Sequence, residues 1–375
     1  MNCFVKETYN TIWHFYHNSH GICFCKMTDE NITEYQVLLA EGQEDFDVCI
    51  DDTDCIHLLC QNTDGDIMYL NHFNGQWRKT TLLKPKTPSN YKKDFAVRLT
   101  ENCLNAFYCI TYNGKRMLTH HAIDNAGLPP SVIDCIDGPF CTTAHYDSIH
   151  LFYYSESAQS WGTRKYIPSQ KEWEDFTPVE AIKNCKNPFL FIDADGKLHI
   201  VYEDNGYVAE YFDGKTADIG MGQNPVMVHQ NHDMLIWESV TDNKIYIKRK
   251  DEQSPTVFMP GGFAKPIKMR LRYTNKESNI NADMCHGNIV NGAVRTYGIN
   301  NFFATAQKHI QTNTEEPNTN TNIEIQKLKI QISQLNSLLQ KLQAQISAED
   351  IEKINRRLDE VEEAVNKKTK LFNLL

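Results

Sequence analysis

Histidine recurs in this chain at places where it could do chemistry. His14, His57, His150 and His199 each take the second position of a short apolar run: Trp13-His14-Phe15-Tyr16, Ile56-His57-Leu58-Leu59, Ile149-His150-Leu151-Phe152 and Leu198-His199-Ile200-Val201. Imidazole ligates zinc, iron and nickel and carries protons near neutral pH, so a metal or acid–base centre is the first chemistry to weigh. Their equivalence argues against it. One side chain per copy of a repeated unit is spread through space, and the third copy carries Asn105 at the matching place. A hydrogen bond repeated in each unit is the expected role of all four histidines, and no metal or cofactor is expected.

Cys23-Phe24-Cys25 places two thiols on one face of a strand, but zinc sites usually pair two such motifs and no second pair follows. Asp193-Ala194-Asp195-Gly196 begins like a calcium loop and lacks its later ligands, so its aspartates, like Asp54, Asp147 and Asp233, read as turn formers. There is no Gly-rich phosphate loop, Gly-x-Ser-x-Gly elbow or His-Glu-x-x-His helix. No catalytic residue is assigned. The twelve cysteines sit in apolar, strand-like runs and read as buried free thiols.

The elements behind these residues form a repeat. The apolar run recurs as Leu104-Asn105-Ala106-Phe107 and Leu235-Ile236-Trp237 as well, at a spacing of about 44 residues, the range of propeller blades. Hairpin dipeptides follow it at His20-Gly21, Asp64-Gly65, Asn113-Gly114, Asn205-Gly206 and Asp242-Asn243. Further strands flank it, as in Phe46-Asp47-Val48-Cys49-Ile50 before and Ile67-Met68-Tyr69 and Trp77-Arg78-Lys79-Thr80-Thr81-Leu82 after. Four short antiparallel strands per unit predict an all-β propeller of six or seven four-stranded blades over residues 1–306. Seven is preferred, with a degenerate last unit drawn from Met269-Arg270-Leu271-Arg272, Asn281-Ala282-Asp283-Met284 and Ala293-Val294-Arg295-Thr296-Tyr297. Cys3-Phe4-Val5 either opens the first blade or completes the last.

The succession of apolar strand, Asp-Gly turn, strand ending in Tyr and Gly-x-Trp, clearest from Phe46 to Trp77, resembles the blades of sialidase-like and fucose-lectin-like propellers. That resemblance implies sugar binding or sugar cleavage. The sialidase Asp box, Ser-x-Asp-x-Gly-x-Thr-Trp, is absent, and no three arginines match that family's carboxylate-binding triad by local motif. Trp161, Trp173 and Tyr207, read as exposed aromatics in or near loops, are the candidate stacking platforms for a sugar ring or a partner protein.

Net charge is −10 at pH 7. Such a chain lacks the basic footprint that phosphate backbones or anionic lipids demand, so nucleic acid is not an expected partner. No apolar stretch is long enough for a membrane span, and residues 1–16 lack the features of a signal peptide, so the expected setting is cytoplasmic or an intracellularly made particle.

Residues 307–322, rich in Thr, Asn, Gln and Glu, read as a flexible linker. Over 323–375 a heptad takes over: Ile325, Leu328, Ile332, Leu335, Leu339, Leu342 and Ile346 take a and d positions, and a second helix carries Ile351, Ile354, Leu358, Val361 and Val365. Ile at most a positions with Leu at d favours a parallel two-stranded coil, while Leu338 and Ile330 widen the apolar face, so a trimer, docking against another helix or a helical hairpin stays open. Homo-oligomerisation through this tail, or a helical protein partner, is expected.

The sequence therefore predicts a non-catalytic binding or scaffold protein, its propeller presenting a ligand-binding face for carbohydrate or protein and its tail multimerising it, also as part of a self-assembling structure. The alternative is a sialidase-like glycoside hydrolase acting at the propeller axis. Two carboxylates about 5–9.5 Å apart in a polar axial pocket would mark it.

Overall fold

A computed structural model describes residues 2–299 apart from 9–10, 29–31, 87–90, 101–102, 124–128, 259–265, 274–280 and 291–292. The expected linker at 307–322 and the heptad positions from Ile325 to Val365 lie outside the described residues.

The fold follows from one property of the recurring strand: both of its faces are buried, so the strand reads as a continuous apolar run. Leu58 packs with Phe15, Phe46 and Trp13, while its neighbour Leu59 packs with Phe95 and Tyr108. Phe107 joins Leu151 and Tyr153, whereas Tyr108 points the other way. Phe152 meets Leu190 and Ile200, and Val201 meets Val226, Ile236 and Trp237. Successive side chains of a strand alternate faces, so each such strand feeds two cores and is sandwiched between neighbouring sheets. Burying each Leu, Phe or Val contributes roughly 1.5–3 kcal/mol.

The strands form consecutive antiparallel meanders. The first sheet comprises β1 (Asn2–Lys6), β2 (Ile12–Asn18), β3 (Gly21–Met27) and β4 (Gln36–Leu39), and the second β5 (Gly42–Ile50), β6 (Ile56–Asn62), β7 (Ile67–Phe73) and β8 (Gln76–Leu83). The third holds β9 (Ala96–Thr100), β10 (Cys103–Tyr112), β11 (Lys115–Ile123) and β12 (Ser131–Cys135). In the fourth, β13 (Cys141–His145), β14 (Ser148–Ser155) and β15 (Ser160–Ile167) are followed by the two-residue β16 (Glu172–Trp173) and β17 (Thr177–Pro178), both paired to β15. The fifth contains β18 (Lys186–Ile192), β19 (Leu198–Asp204), β20 (Tyr207–Phe212) and β21 (Lys215–Met221). The sixth contains β22 (Gln223–Gln230), β23 (His232–Glu238), β24 (Ile245–Arg249) and β25 (Thr256–Phe258). A three-stranded run ends the described chain: β26 (Ile267–Tyr273), β27 (Met284–Val290) and β28 (Ala293–Tyr297).

The first strand of each of these six sheets touches the first strand of the next, from β1 through β5, β9, β13 and β18 to β22, and β22 touches β27. The ring closes through β26, which pairs antiparallel with β27 and parallel with β1, Phe4 opposite Leu271. This is a β-propeller. Cys3-Phe4-Val5 thus opens the first sheet and joins it to the last run. Asn281–Asp283, expected as part of a strand, instead precedes β27, with an isolated bridge from Asn281 to His229 and hydrogen bonds from Ala282 N to the Tyr273 hydroxyl and from Leu271 N to Asp283 O.

The tight hairpins rest on local chemistry. At Asn205-Gly206 both residues have positive φ, 50° and 85°, the conformation a two-residue turn requires.

Charges converge among the inner strands around Asp47. Asp47 on β5 lies 2.8 Å from Arg270 and 3.1 Å from Arg272, both on β26, and 3.6 Å from Arg98 on β9. Arg98 and Arg272 also pair with Asp283. The guanidiniums donate to backbone as well: Arg270 to Phe46 O at 3.0 Å, Arg272 to Val48 O at 2.8 Å, Arg98 to Thr142 O at 2.6 Å. Burial alone would raise the Asp47 carboxyl, but the arginines prevail and hold it at about 2.

Candidate ligand cleft

A cleft of about 850 Å³ opens between the third, fourth and fifth sheets. Its floor is built by backbone bonds that run from one sheet to the next. Ile136 bridges to Ser155, Glu156 N donates to Cys135 O at 2.9 Å, and Asp137 N donates to Tyr154 O at 3.3 Å. Side chains reinforce this seam. Ser155 Oγ donates to Asp134 Oδ2 at 2.8 Å, and the Arg116 guanidinium binds Gly138 O and the Asp94 carboxylate, fixing the 137–139 loop.

The walls mix polar and apolar surface. Lys115, Lys183 and Lys186 are exposed at the cleft, Glu156 is half-buried, and Tyr154 and Trp161 supply aromatic surface. The Cys135 thiol donates to Glu156 Oε2 at 3.0 Å; desolvation, then the Glu156 carboxylate, raises its pKa and keeps it protonated. Trp161 stacks on Phe152 at 5.2 Å and meets Tyr154 edge-on at 5.7 Å. Together these groups offer hydrogen-bond donors and acceptors of both charges beside a fixed aromatic edge.

Of the three aromatics the sequence singled out, the structure brings only Trp161 to the cleft. It lies in β15 and is 7% exposed, so it is a core residue with one edge at the cleft rather than an exposed platform. Trp173 forms β16 and packs against Tyr166 at 4.9 Å and His120 at 5.4 Å, which corrects the expectation of an exposed loop aromatic. Tyr207, 46% exposed, starts β20 away from both. The cleft's lysines and Glu156 carried no local motif and were missed.

The histidines stay apart, each bonded within its own sheet. His14 Nε2 lies 2.8 Å from Asn2 Oδ1, and its ring stacks on Phe4 at 4.3 Å. His150 Nε2 lies 3.3 Å from Ser148 Oγ. His57 spans Asp51 at 3.2 Å and the Tyr69 hydroxyl at 2.7 Å, and His199 spans Asp193 at 3.1 Å and Glu210 at 2.6 Å. Burial pushes His14 and His150 down to about 4, so both are neutral at pH 7. Asp193 Oδ1 accepts from Asp195 N and Lys197 N, the bonds of a turn. None of the twelve cysteines, all among the described residues, is in a disulfide.

No protein-family model matches this chain, and no curated protein matches it. Among solved structures it is similar to AofleA from Arthrobotrys oligospora, with 10% identity and a TM-score of 0.38 over 69% of this chain and 87% of that one. It is similar to the Aleuria aurantia lectin, described as a six-bladed β-propeller with a novel fucose recognition mode, at 9% identity and a TM-score of 0.40 over 70% of this chain and 96% of that one. TolB from Acinetobacter baumannii gives 12% identity and a TM-score of 0.40 over 65% of this chain and 64% of that one.

Proposed function

We propose that this protein is a non-catalytic binding propeller whose cleft between the third, fourth and fifth sheets takes a carbohydrate, and whose segment 323–375 multimerises it as a coiled coil. The observation that carries the reading is the composition of the cleft. Lys115, Lys183 and Lys186 supply donors, Asp137 and Glu156 supply acceptors, and Tyr154 and Trp161 supply an aromatic flank. A sugar ring presents this mixture in reverse: many hydroxyls around an apolar C–H face. Lys115 and Lys186 start strands β11 and β18, so their backbone is fixed before a ligand arrives, which limits the entropy lost on binding. Several propellers joined by their tails would add avidity without any new contact.

The carboxylates that converge among the inner strands favour this reading over catalysis at the axis. Asp47 and Asp283 are both engaged by arginines, so neither is a free acid or nucleophile. Screening the full chain on a glycan array, followed by calorimetry with Glu156→Gln and Lys186→Ala, tests the proposal. Binding that weakens in both variants supports it; an array without a hit, or a hit indifferent to both changes, refutes it.

A further inference from the structure

The turn joining β5 to β6 carries a cluster that the binding function does not use. One ligand atom each from Asp51, Cys55 and His57 lies within 4.8 Å of the others. We propose that these three residues form a binding site for a divalent cation of the zinc type.

The backbone explains why the three converge. Asp51 N donates to Cys55 O at 3.0 Å, and Cys55 N donates back to Asp51 Oδ1 at 2.9 Å, closing the turn on itself. Cys55 and His57 are two apart and share one side of the strand, facing Asp51 across the turn. The Asp51 carboxylate divides its oxygens. Oδ1 accepts from Thr53 N, Thr53 Oγ1 and Cys55 N, while Oδ2 faces His57 Nε2 at 3.2 Å. Oδ2, Nε2 and the Cys55 sulfur are therefore the converging atoms.

Their chemistry and spacing suit zinc. Bonds of about 2.0 Å to nitrogen and oxygen and 2.3 Å to sulfur put the ligand atoms of a tetrahedral site roughly 3.2–3.6 Å apart. Asp51 and His57 already stand at that separation, and the Cys55 sulfur lies within 4.8 Å of both. A mixed Asp, Cys and His set suits a borderline cation better than calcium or magnesium, which take oxygen ligands. The other nitrogen of His57 is engaged: Nδ1 lies 2.7 Å from the Tyr69 hydroxyl, the kind of outer contact that orients a ligating imidazole. Cys55 is buried and His57 12% exposed, while Asp51, 31% exposed at the side chain, gives the ion its path from solvent.

The fifth sheet provides an internal comparison. Its turn repeats the aspartate and histidine as Asp193 and His199, with the same contact at 3.1 Å. There Lys197 replaces the thiol, and Lys250 Nζ sits 3.4 Å from Asp193 Oδ2. That turn has its cation built in. Among the described residues no lysine or arginine pairs with Asp51, so the second sheet has the carboxylate and imidazole of its counterpart, a thiol in addition, and no resident positive charge. This departs from the sequence reading of His57 as a purely structural histidine.

Titrating the full chain with cobalt(II) under reducing conditions tests the site, because a thiolate ligand gives cobalt a charge-transfer band that carboxylate and imidazole do not. One cobalt per chain is expected, displaced by zinc, with the band lost in Cys55→Ser. Tyr69→Phe should weaken binding about 10-fold or more through the lost outer contact, and Asp193→Asn should leave it unchanged. Circular dichroism checks that each variant is folded. A band of undiminished strength in Cys55→Ser would place the metal on other thiols and overturn the proposal. So would a folded wild-type chain that shows no band.

Discussion

The guanidinium of Arg272 lies 3.1 Å from the carboxylate of Asp47, joining two residues 225 positions apart in the chain. Arg270 and Arg98 approach the same carboxylate, so strands from the first third and from the end of the described chain meet on one buried anion. Removing Asp47 leaves Arg98 and Arg272 with Asp283 as their remaining carboxylate and takes the nearest carboxylate from Arg270. Asp47→Asn should therefore cost about 3–5 kcal/mol, read as a lowered midpoint in denaturant unfolding followed by circular dichroism.

Acid should weaken the fold in two stages. His14, His120 and His150 are each pushed down to about 4 by burial, against 6.5 when unfolded. Between those values the unfolded chain takes up protons that the folded chain refuses. Stability is thus complete above pH 6.5, falls as pH drops to 4, and then levels off for these groups, with a slope of up to about 4 kcal/mol per pH unit if all three contribute. Asp47 has the opposite charge type and a second window. Its carboxyl is held at about 2 against 3.8 unfolded, so its contribution is complete above 3.8 and is lost as pH falls through 2. Denaturant midpoints measured from pH 8 to pH 3 should show the first stage, and replacing His120 by Asn should make it shallower.

At the cleft, Lys186→Ala and Glu156→Gln should each weaken carbohydrate binding by about 10-fold while leaving the unfolding midpoint within about 0.5 kcal/mol of wild type, since Lys186 is exposed and Glu156 only half-buried. Trp161→Ala is expected to act differently. Its ring is buried against Phe152, so truncation should destabilise the fourth and fifth sheets by about 3–5 kcal/mol as well as abolish binding. Calorimetry and thermal unfolding on the same samples separate the two effects.

Light scattering on the full chain and on a chain ending near Thr305 tests multimerisation. A multimer that becomes a monomer on truncation is the expected result. A monomer in both cases would mean that the heptads around Leu335 and Leu342 dock elsewhere, and would remove the avidity argument.

Much of the ring was legible because its signal is local. Each recurring apolar run became the second strand of a sheet, and the dipeptides Asp64-Gly65, Asn113-Gly114 and Asn205-Gly206 became the next turn. Closure was not legible, because the pairing of Cys3 with Arg270 is parallel and has no turn to announce it. The inner-strand charges did leave a trace: Asp47, Arg98, Arg270 and Arg272 each interrupt an apolar run, yet a lone charge does not name its partner. The cleft was hidden for a related reason. Lys115, Glu156 and Lys186 come from three different sheets and meet only once the sheets are stacked.

The parallel pairing of β1 with β26 has a consequence for biogenesis. Of the described strands, β1 is the first to leave the ribosome and β26 one of the last, so one edge of the opening sheet stays without its neighbour until nearly the whole ring has been synthesised. During that interval Phe4 and Val5 sit on a bare edge able to recruit the β26 of another copy, and such an exchange would yield an interlinked dimer instead of a closed ring. Slower translation lengthens the interval, and a holding chaperone at the nascent N-terminal sheet would guard it.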